Sequence, residues 1–279
     1  MASIFLRSQH PLKAPRRQTF AWGYWLSLPF LLFIAFPLMA LVLRTAPLQW
    51  WQHLKDPQVL AALRLSLVTT LAAAFVIVLT GTPVAYLLAG ARGRLARAID
   101  ALVDLPTVLP PAVAGVALLM AFGRRGLVGS LLNSLGIQIA FTPLAVVMAQ
   151  VFIAAPFYIK AAVVGFSYVD VEIKQAAAID GANDRQIFIY LIAPLSWRAL
   201  LTGVVMSWAR ALGEFGATIL FAGNFPGKTQ TMPLAIYLGF ETGLDTALTL
   251  SVILLLLSFV TLFAVKRLLG QSLDGESVA

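Results

Sequence analysis

Six stretches of this sequence are apolar over lengths close to those needed to cross a lipid bilayer, and no other feature restricts its fold as much. They are Ala21 to Leu43, Leu65 to Ala91, Leu105 to Phe122, Ile139 to Ile159, Ala199 to Gly223 and Ala247 to Val265. About 20 apolar residues in a helix cover roughly 30 Å of hydrocarbon. Without water to satisfy the backbone, runs of this length are stable in lipid as helices, whose polar groups bond internally. The pattern predicts an all-α integral membrane protein with six transmembrane helices. The third run is short and interrupted by Pro110-Pro111, and the fifth carries Arg210 and Glu214.

Composition supports that class: 60% of residues are hydrophobic and 11% charged, against about half and a quarter in soluble domains. The expected layout is a basic tail over residues 1–20, a transmembrane domain over 21–268 and a short polar tail over 269–279. The first residues are basic and lack acids, as in some targeting peptides. The apolar run after them is too long for a signal sequence and no small-x-small site closes it, so the first helix is expected to be retained.

The net charge of +8 does not indicate a nucleic-acid partner, because the basic residues sit in short connections without aromatic interleaving. They fit membrane orientation instead. With the amino terminus inside, the inner segments hold Arg7, Lys13, Arg16, Arg17, Arg92, Arg94, Arg97, Lys160, Lys174, Arg185, Arg198, Lys266 and Arg267. The outer segments hold Arg44, Lys55, Arg64, Arg124, Arg125 and Lys228, about half as many. Lys and Arg are retained on the cytoplasmic side, which places both termini there.

Enzyme chemistry has little to work with. There is no cysteine, His10 and His53 lie outside the apolar runs, and Asp170, Glu172, Asp180 and Asp184 fit a solvated helix face. Gly227-Lys228-Thr229 ends like a nucleotide-binding P-loop, but the first glycine is missing. Position 222 is Ala, Gly223 is one residue out of register, and Pro226 interrupts the segment.

The connection over residues 170–195 is the longest on the inner side. Val171 to Asp180 favours a helix, with small Ala176, Ala177 and Ala178 that let another surface approach. Gly181 permits a turn, Asn183 or Asp184 caps the next helix, and Pro194 suits the first turn of the fifth span. Gln175-Ala176-Ala177, then Gly181, then Pro194 at these spacings resembles the EAA motif of ABC-transporter permeases. Gln175, Leu191 and Ala193 depart from that motif, which has Glu, Ile and Leu there. Gln175 removes a charge, while the shape-setting residues remain. Residues 209–237 and 105–129 also resemble molybdate permeases, and more loosely sulfate permeases.

The resemblance implies a type I ABC importer permease fold that carries molybdate, or tungstate or sulfate, through a bacterial inner membrane. It implies no cofactor in this chain, because ATP and Mg would be bound by a separate ATPase subunit, in two copies, docked on the 170–195 loop. It also implies an external oxyanion-binding protein, a second copy of this chain and surrounding lipid as partners.

Arg210 and Glu214, four residues apart, admit two readings: an ion pair that fixes the fifth helix, or a border of the translocation path. Thr69, Thr70, Thr80, Thr82, Thr107, Gln150 and Ser207 either line a path or join helices. Gly81-Thr82-Pro83 and Pro110-Pro111 are expected to break their helices. An ion-driven transporter would carry intramembrane acids without matched cations, and a membrane scaffold would not need the Gly181 loop.

Overall fold

The computed structural model describes residues 21–45 and 56–274; the tail over 1–20 and residues 275–279 lie outside them. The described residues fall into two units, one ending at Arg44 and the other beginning at Thr45. In the first, α1 (Ala21–Arg44) is predominantly apolar, ends on Arg44 and contains Pro29 and Pro37.

The second unit begins with α2 (Pro57–Gly90). Asp56 caps it by accepting the Gln58 N–H at 2.8 Å, and Pro57 needs no partner for its missing N–H. Then come α3 (Arg94–Val108), α4 (Pro111–Phe122), α5 (Gly129–Ser134) and α6 (Pro143–Ser167). After them stand α7 (Val171–Ile179), α8 (Asp184–Leu195) and α9 (Trp197–Leu212). The chain closes with α10 (Gly216–Phe221), α11 (Met232–Thr242) and α12 (Leu244–Asp274).

Among the described residues four helices, α1, α2, α6 and α12, are long and apolar enough to cross a membrane, and two bent pairs bring the number to as many as six. The expected break at Pro110-Pro111 is present, and a second apolar run is interrupted where none was expected. Leu105 to Phe122 is not one helix: α3 and α4 meet at 115°. Pro110 and Pro111 cannot donate to a helical ladder, and Leu109, preceding a proline, is extended at φ −66°, ψ 134°. Ala199 to Gly223 is also broken, because α9 stops at Leu212 and α10 starts at Gly216. Conversely, α2 runs unbroken through Gly81-Thr82-Pro83. That site is a packing point: a Cβ on Gly81 would lie 3.0 Å from Ile159 Cγ1, and the Thr82 and Tyr158 hydroxyls are 2.6 Å apart.

Helix α6 is central to the second unit. Ile77 and Ala85 of α2 pack with Ala154, Tyr158, Ile159, Ala162 and Phe166 of α6. Helix α9 returns antiparallel along α6, Ala199 touching Gly165 and Gly203 lying beside Ala161. Small residues allow such approach where lipid offers no hydrophobic drive between helices. A second cluster joins Ala114 and Leu118 of α4, Ala145 to Ile153 of α6, and Ala217 and Phe221 of α10.

Gly115 sits where α4 crosses α10, and a Cβ there would lie 2.8 Å from the Ala217 carbonyl oxygen and 2.9 Å from its Cα. Both are backbone atoms, so relief requires moving a helix. Gly115→Ala is expected to cost about 1–3 kcal/mol, read as a lower thermal unfolding midpoint of the detergent-purified protein; an unchanged midpoint would mean that the crossing adjusts freely.

Candidate functional site

The loop between α6 and α9 is shaped by its own backbone chemistry. Helix α7 opens with Glu172 in its first turn, favourable to the helix dipole. Lys174 Nζ donates to the Phe166 carbonyl at 3.3 Å and ties α7 to the end of α6. At the other end, the Ala182 N–H bonds to Ala177 O at 3.0 Å and the Gly181 N–H to Ala178 O at 3.1 Å. This pair of bonds is a Schellman motif, which places its C′ residue in the left-handed region. Gly181 is that residue, at φ +89°.

The chain then enters α8 through a capping box. Asn183 Oδ1 accepts the Gln186 N–H and Gln186 Oε1 accepts the Asn183 N–H, both at 2.9 Å. The sequence reading leaves Asn183 and Asp184 as alternative caps, of which the structure takes Asn183, and misses Gln186, although the Asn-x-x-Gln spacing carries the signal. Asn183→Ala removes the acceptor of the Gln186 N–H and leaves the backbone-donated bond to Gln186 Oε1, an expected loss of about 0.5–2 kcal/mol. Amide hydrogen exchange at residues 184–187 should accelerate accordingly; unchanged protection would assign the turn's stability to packing.

The elbow presents a defined face. Gln175 and Ala176 are exposed, Ala177 is half-buried, and Ile187 is buried against the α2–α6 core. A concavity of about 400 Å³ is lined by Ala177, Asp180, Gly181, Ala182, Gln186, Ile187, Tyr190 and Leu191. Beside it Ile179 is 86% exposed and Tyr190 77% exposed.

Pro194 is not in the first turn of α9. It lies near the end of α8, after a π-helical turn over Phe188–Ile192 closed by the Ala193 N–H on Phe188 O. Helix α8 meets α9 at 74° across Ser196. The missing N–H of Pro194 falls where the ladder is already changing register.

Arg210 and Glu214 meet, though not on one helix. Arg210 Nη1 lies 2.9 Å from Glu214 Oε2. Arg210 is in the last turn of α9, while Glu214 stands in the break before α10, 1% exposed. Its Oε1 accepts the Ala217 N–H at 2.8 Å, so one carboxylate ties the end of α9 to the start of α10.

The segment around Lys228 forms no phosphate cradle. The Lys228, Thr229 and Gln230 N–H groups converge on Phe225 O at 3.0, 2.9 and 3.1 Å, and Thr229 Oγ1 accepts the Phe225 N–H. In a P-loop those amides face phosphate. Of the polar residues expected in the spans, Thr69, Thr70, Gln150 and Ser207 are buried among helices, and Trp208 Nε1 donates to Thr70 Oγ1 at 3.1 Å.

Comparison with known proteins agrees with this architecture. Residues 81–273 match the model of the family described as "binding-protein-dependent transport system inner membrane component". The molybdenum transport system permease protein ModB of Mycobacterium tuberculosis is 39% identical, over 88% of this chain and 92% of its own length. The sulfate transport system permease protein CysT of Escherichia coli is 33% identical, over 88% and 90%. Among solved structures, a chain of a bacterial alginate ABC transporter superposes with a TM-score of 0.70 at 16% identity, over 88% of this chain and 93% of that one. The bent spans, the elbow and these matches lead to one conclusion: the chain belongs to the family of inner-membrane permeases of binding-protein-dependent ABC importers.

Proposed function

We propose that this chain is the membrane pathway of an ATP-driven importer for molybdate, with tungstate and sulfate as chemically close alternatives. The observation that carries the reading is the elbow around Gly181. It is fixed by a Schellman motif and a capping box, it shows Ile179 and Tyr190 outward, and it coincides with the residues that resemble a permease docking motif. A separate ATPase, holding ATP and Mg, docks on this face, and its closure moves α8 and α9. The chain itself supplies no chemical step. Molybdate as substrate is supported by the 39% identity to a molybdenum permease, and sulfate by the 33% identity to a sulfate permease.

The working unit in this reading is two copies of the chain with two ATPase subunits, supplied from outside by an oxyanion-binding protein. The excess of Lys and Arg in the segments around Arg92 to Arg97, Lys174 to Arg198 and Lys266 supports a cytoplasmic position for the elbow and both termini. The test is ATP hydrolysis in liposomes containing this chain and its ATPase, with binding protein loaded in turn with molybdate, tungstate or sulfate. Stimulation ranked with molybdate first is the expected result. Stimulation by none of the three would reject the oxyanion assignment.

A further inference from the structure

The corner that joins α2 to α3 carries three arginines in six residues, Arg92, Arg94 and Arg97, with no acid between Gly90 and Ile99. Among the described residues none of the three pairs with a carboxylate. Arg97 Nε donates within its own turn, to Gly93 O at 3.4 Å, which leaves its terminal nitrogens available. A pocket of about 470 Å³ opens here, between the last turn of α2, the first turns of α3 and Val163 of α6. Sites for small ligands span roughly 300–1,000 Å³. Arg92, Arg97 and Asp100 supply its charged side chains. Asp100 is already engaged, its Oδ1 lying 2.6 Å from Lys160 Nζ, so the uncommitted charge on the pocket's wall is positive.

Helix α3 is amphipathic, and every one of its residues is at least partly exposed. Asp100 and Asp104 both reach Lys160 of α6. At about 100° per residue, Leu95 and Leu102 fall on the opposite side of the helix, with Leu105 beside them. These leucines are 75%, 67% and 48% exposed. Helix α2 has 34 residues, a length of about 51 Å by its rise against roughly 30 Å of hydrocarbon. The corner after Gly90 therefore stands at headgroup level. Guanidinium groups at that depth bind phosphate oxygens in a bidentate fork, and a leucine face beside them enters the acyl chains. An amine headgroup would need a carboxylate in the pocket, and Asp100 is committed to Lys160.

We infer that the α2–α3 corner binds the headgroup of an anionic phospholipid in the cytoplasmic leaflet, with Arg92 and Arg97 on its phosphate and Leu95 and Leu102 among acyl chains. The inference rests on the cytoplasmic placement proposed above for the choice of leaflet, and not on the transported anion.

In native mass spectrometry of the detergent-purified chain, alone and with its ATPase, phosphatidylglycerol is expected to bind about tenfold more tightly than phosphatidylethanolamine with the same acyl chains. Arg92→Gln combined with Arg97→Gln should abolish that preference. Arg124→Gln combined with Arg125→Gln, an equal loss of charge on the α4–α5 connection, should keep it. Either single substitution at the corner should lose part of the preference, which keeps the test valid if the double variant does not assemble. Equal binding of the two lipids by the wild type, or a preference that survives the double substitution, would overturn the site. Displacement of phosphatidylglycerol by glycerol 3-phosphate would make the ligand a soluble phosphate ester, and a preference lost on adding the ATPase would give the corner to that subunit; either result overturns the lipid assignment.

The chain has no cysteine, so Leu102→Cys can carry a fluorophore in vesicles of equimolar phosphatidylethanolamine and phosphatidylglycerol. Brominated phosphatidylglycerol is expected to quench it more than brominated phosphatidylethanolamine at the same content. Quenching by neither would mean that a protein surface, such as a second copy, covers the leucines, and would overturn their contact with lipid. Labelling of Arg94→Cys by a membrane-impermeant maleimide in spheroplasts would reject the cytoplasmic placement and overturn the choice of leaflet, while the binding ratios would still decide the headgroup site.

Discussion

Replacing Gly181 with valine is expected to weaken coupling between ATP hydrolysis and uptake, with the permease still present in the membrane. Gly181 sits at φ +89°, and a Cβ added there would meet nothing within 4 Å. The penalty is therefore in the backbone alone. A non-glycine residue in the left-handed region pays roughly 1–2 kcal/mol, more when β-branched. Every 1.4 kcal/mol shifts an equilibrium about tenfold, so the ratio of formed to unformed elbow should fall by about that factor or more. Asparagine tolerates this region far better, so Gly181→Asn should keep most of the stimulated ATPase activity. The assay compares ATP hydrolysis stimulated by loaded binding protein for wild type, Gly181→Asn and Gly181→Val in the same liposomes. Full stimulation in the valine variant would separate the elbow from coupling.

Much of this elbow is legible in the sequence because every determinant is local. The alanines, Gly181, Asn183 and Gln186 span eleven positions, and their hydrogen bonds reach no farther than five residues along the chain. The cores of the second, fourth and sixth spans are legible for a similar reason, since hydropathy is read along the chain. The helices exceed the apolar runs, as α2 does by starting at Pro57, because capped ends extend into polar sequence. Hydropathy averages over breaks, which hides the interruption at Glu214 inside an apolar window, whereas the proline pair Pro110-Pro111 announces the break that becomes a 115° bend. The short α11, eleven residues long, is passed over when only bilayer-length runs are sought. What the sequence cannot show is pairing at a distance. Lys160 finds Asp100 across 60 positions, and Ser66 accepts the Met232 N–H across 166. Those pairings sort the polar residues of the spans into buried joints and an exposed wall, a division that composition leaves open.

Arg210→Gln should destabilise the protein more than Glu214→Gln, and the double substitution should recover part of the loss. The asymmetry arises from burial, because Arg210 is 31% exposed and Glu214 1%. Removing Arg210 leaves a buried carboxylate with the Ala217 N–H as its remaining donor among the described residues, and breaking a buried pair in this way costs about 3–5 kcal/mol. Removing the charge of Glu214 leaves an amide oxygen that still accepts from Ala217, and a guanidinium that can turn toward solvent. That change should cost on the order of 1 kcal/mol. With both replaced, no buried charge remains, so the coupling between the two sites should be large and measurable in a double-mutant cycle. Thermal unfolding midpoints and the monodisperse fraction of the detergent-purified protein give the ranking, and uptake in liposomes gives the function. Reduced stability in step with reduced uptake would assign the pair to holding α9 against α10. A stable Arg210→Gln protein that no longer transports would instead place Arg210 on the anion path, since a strut whose removal leaves the fold intact has another task.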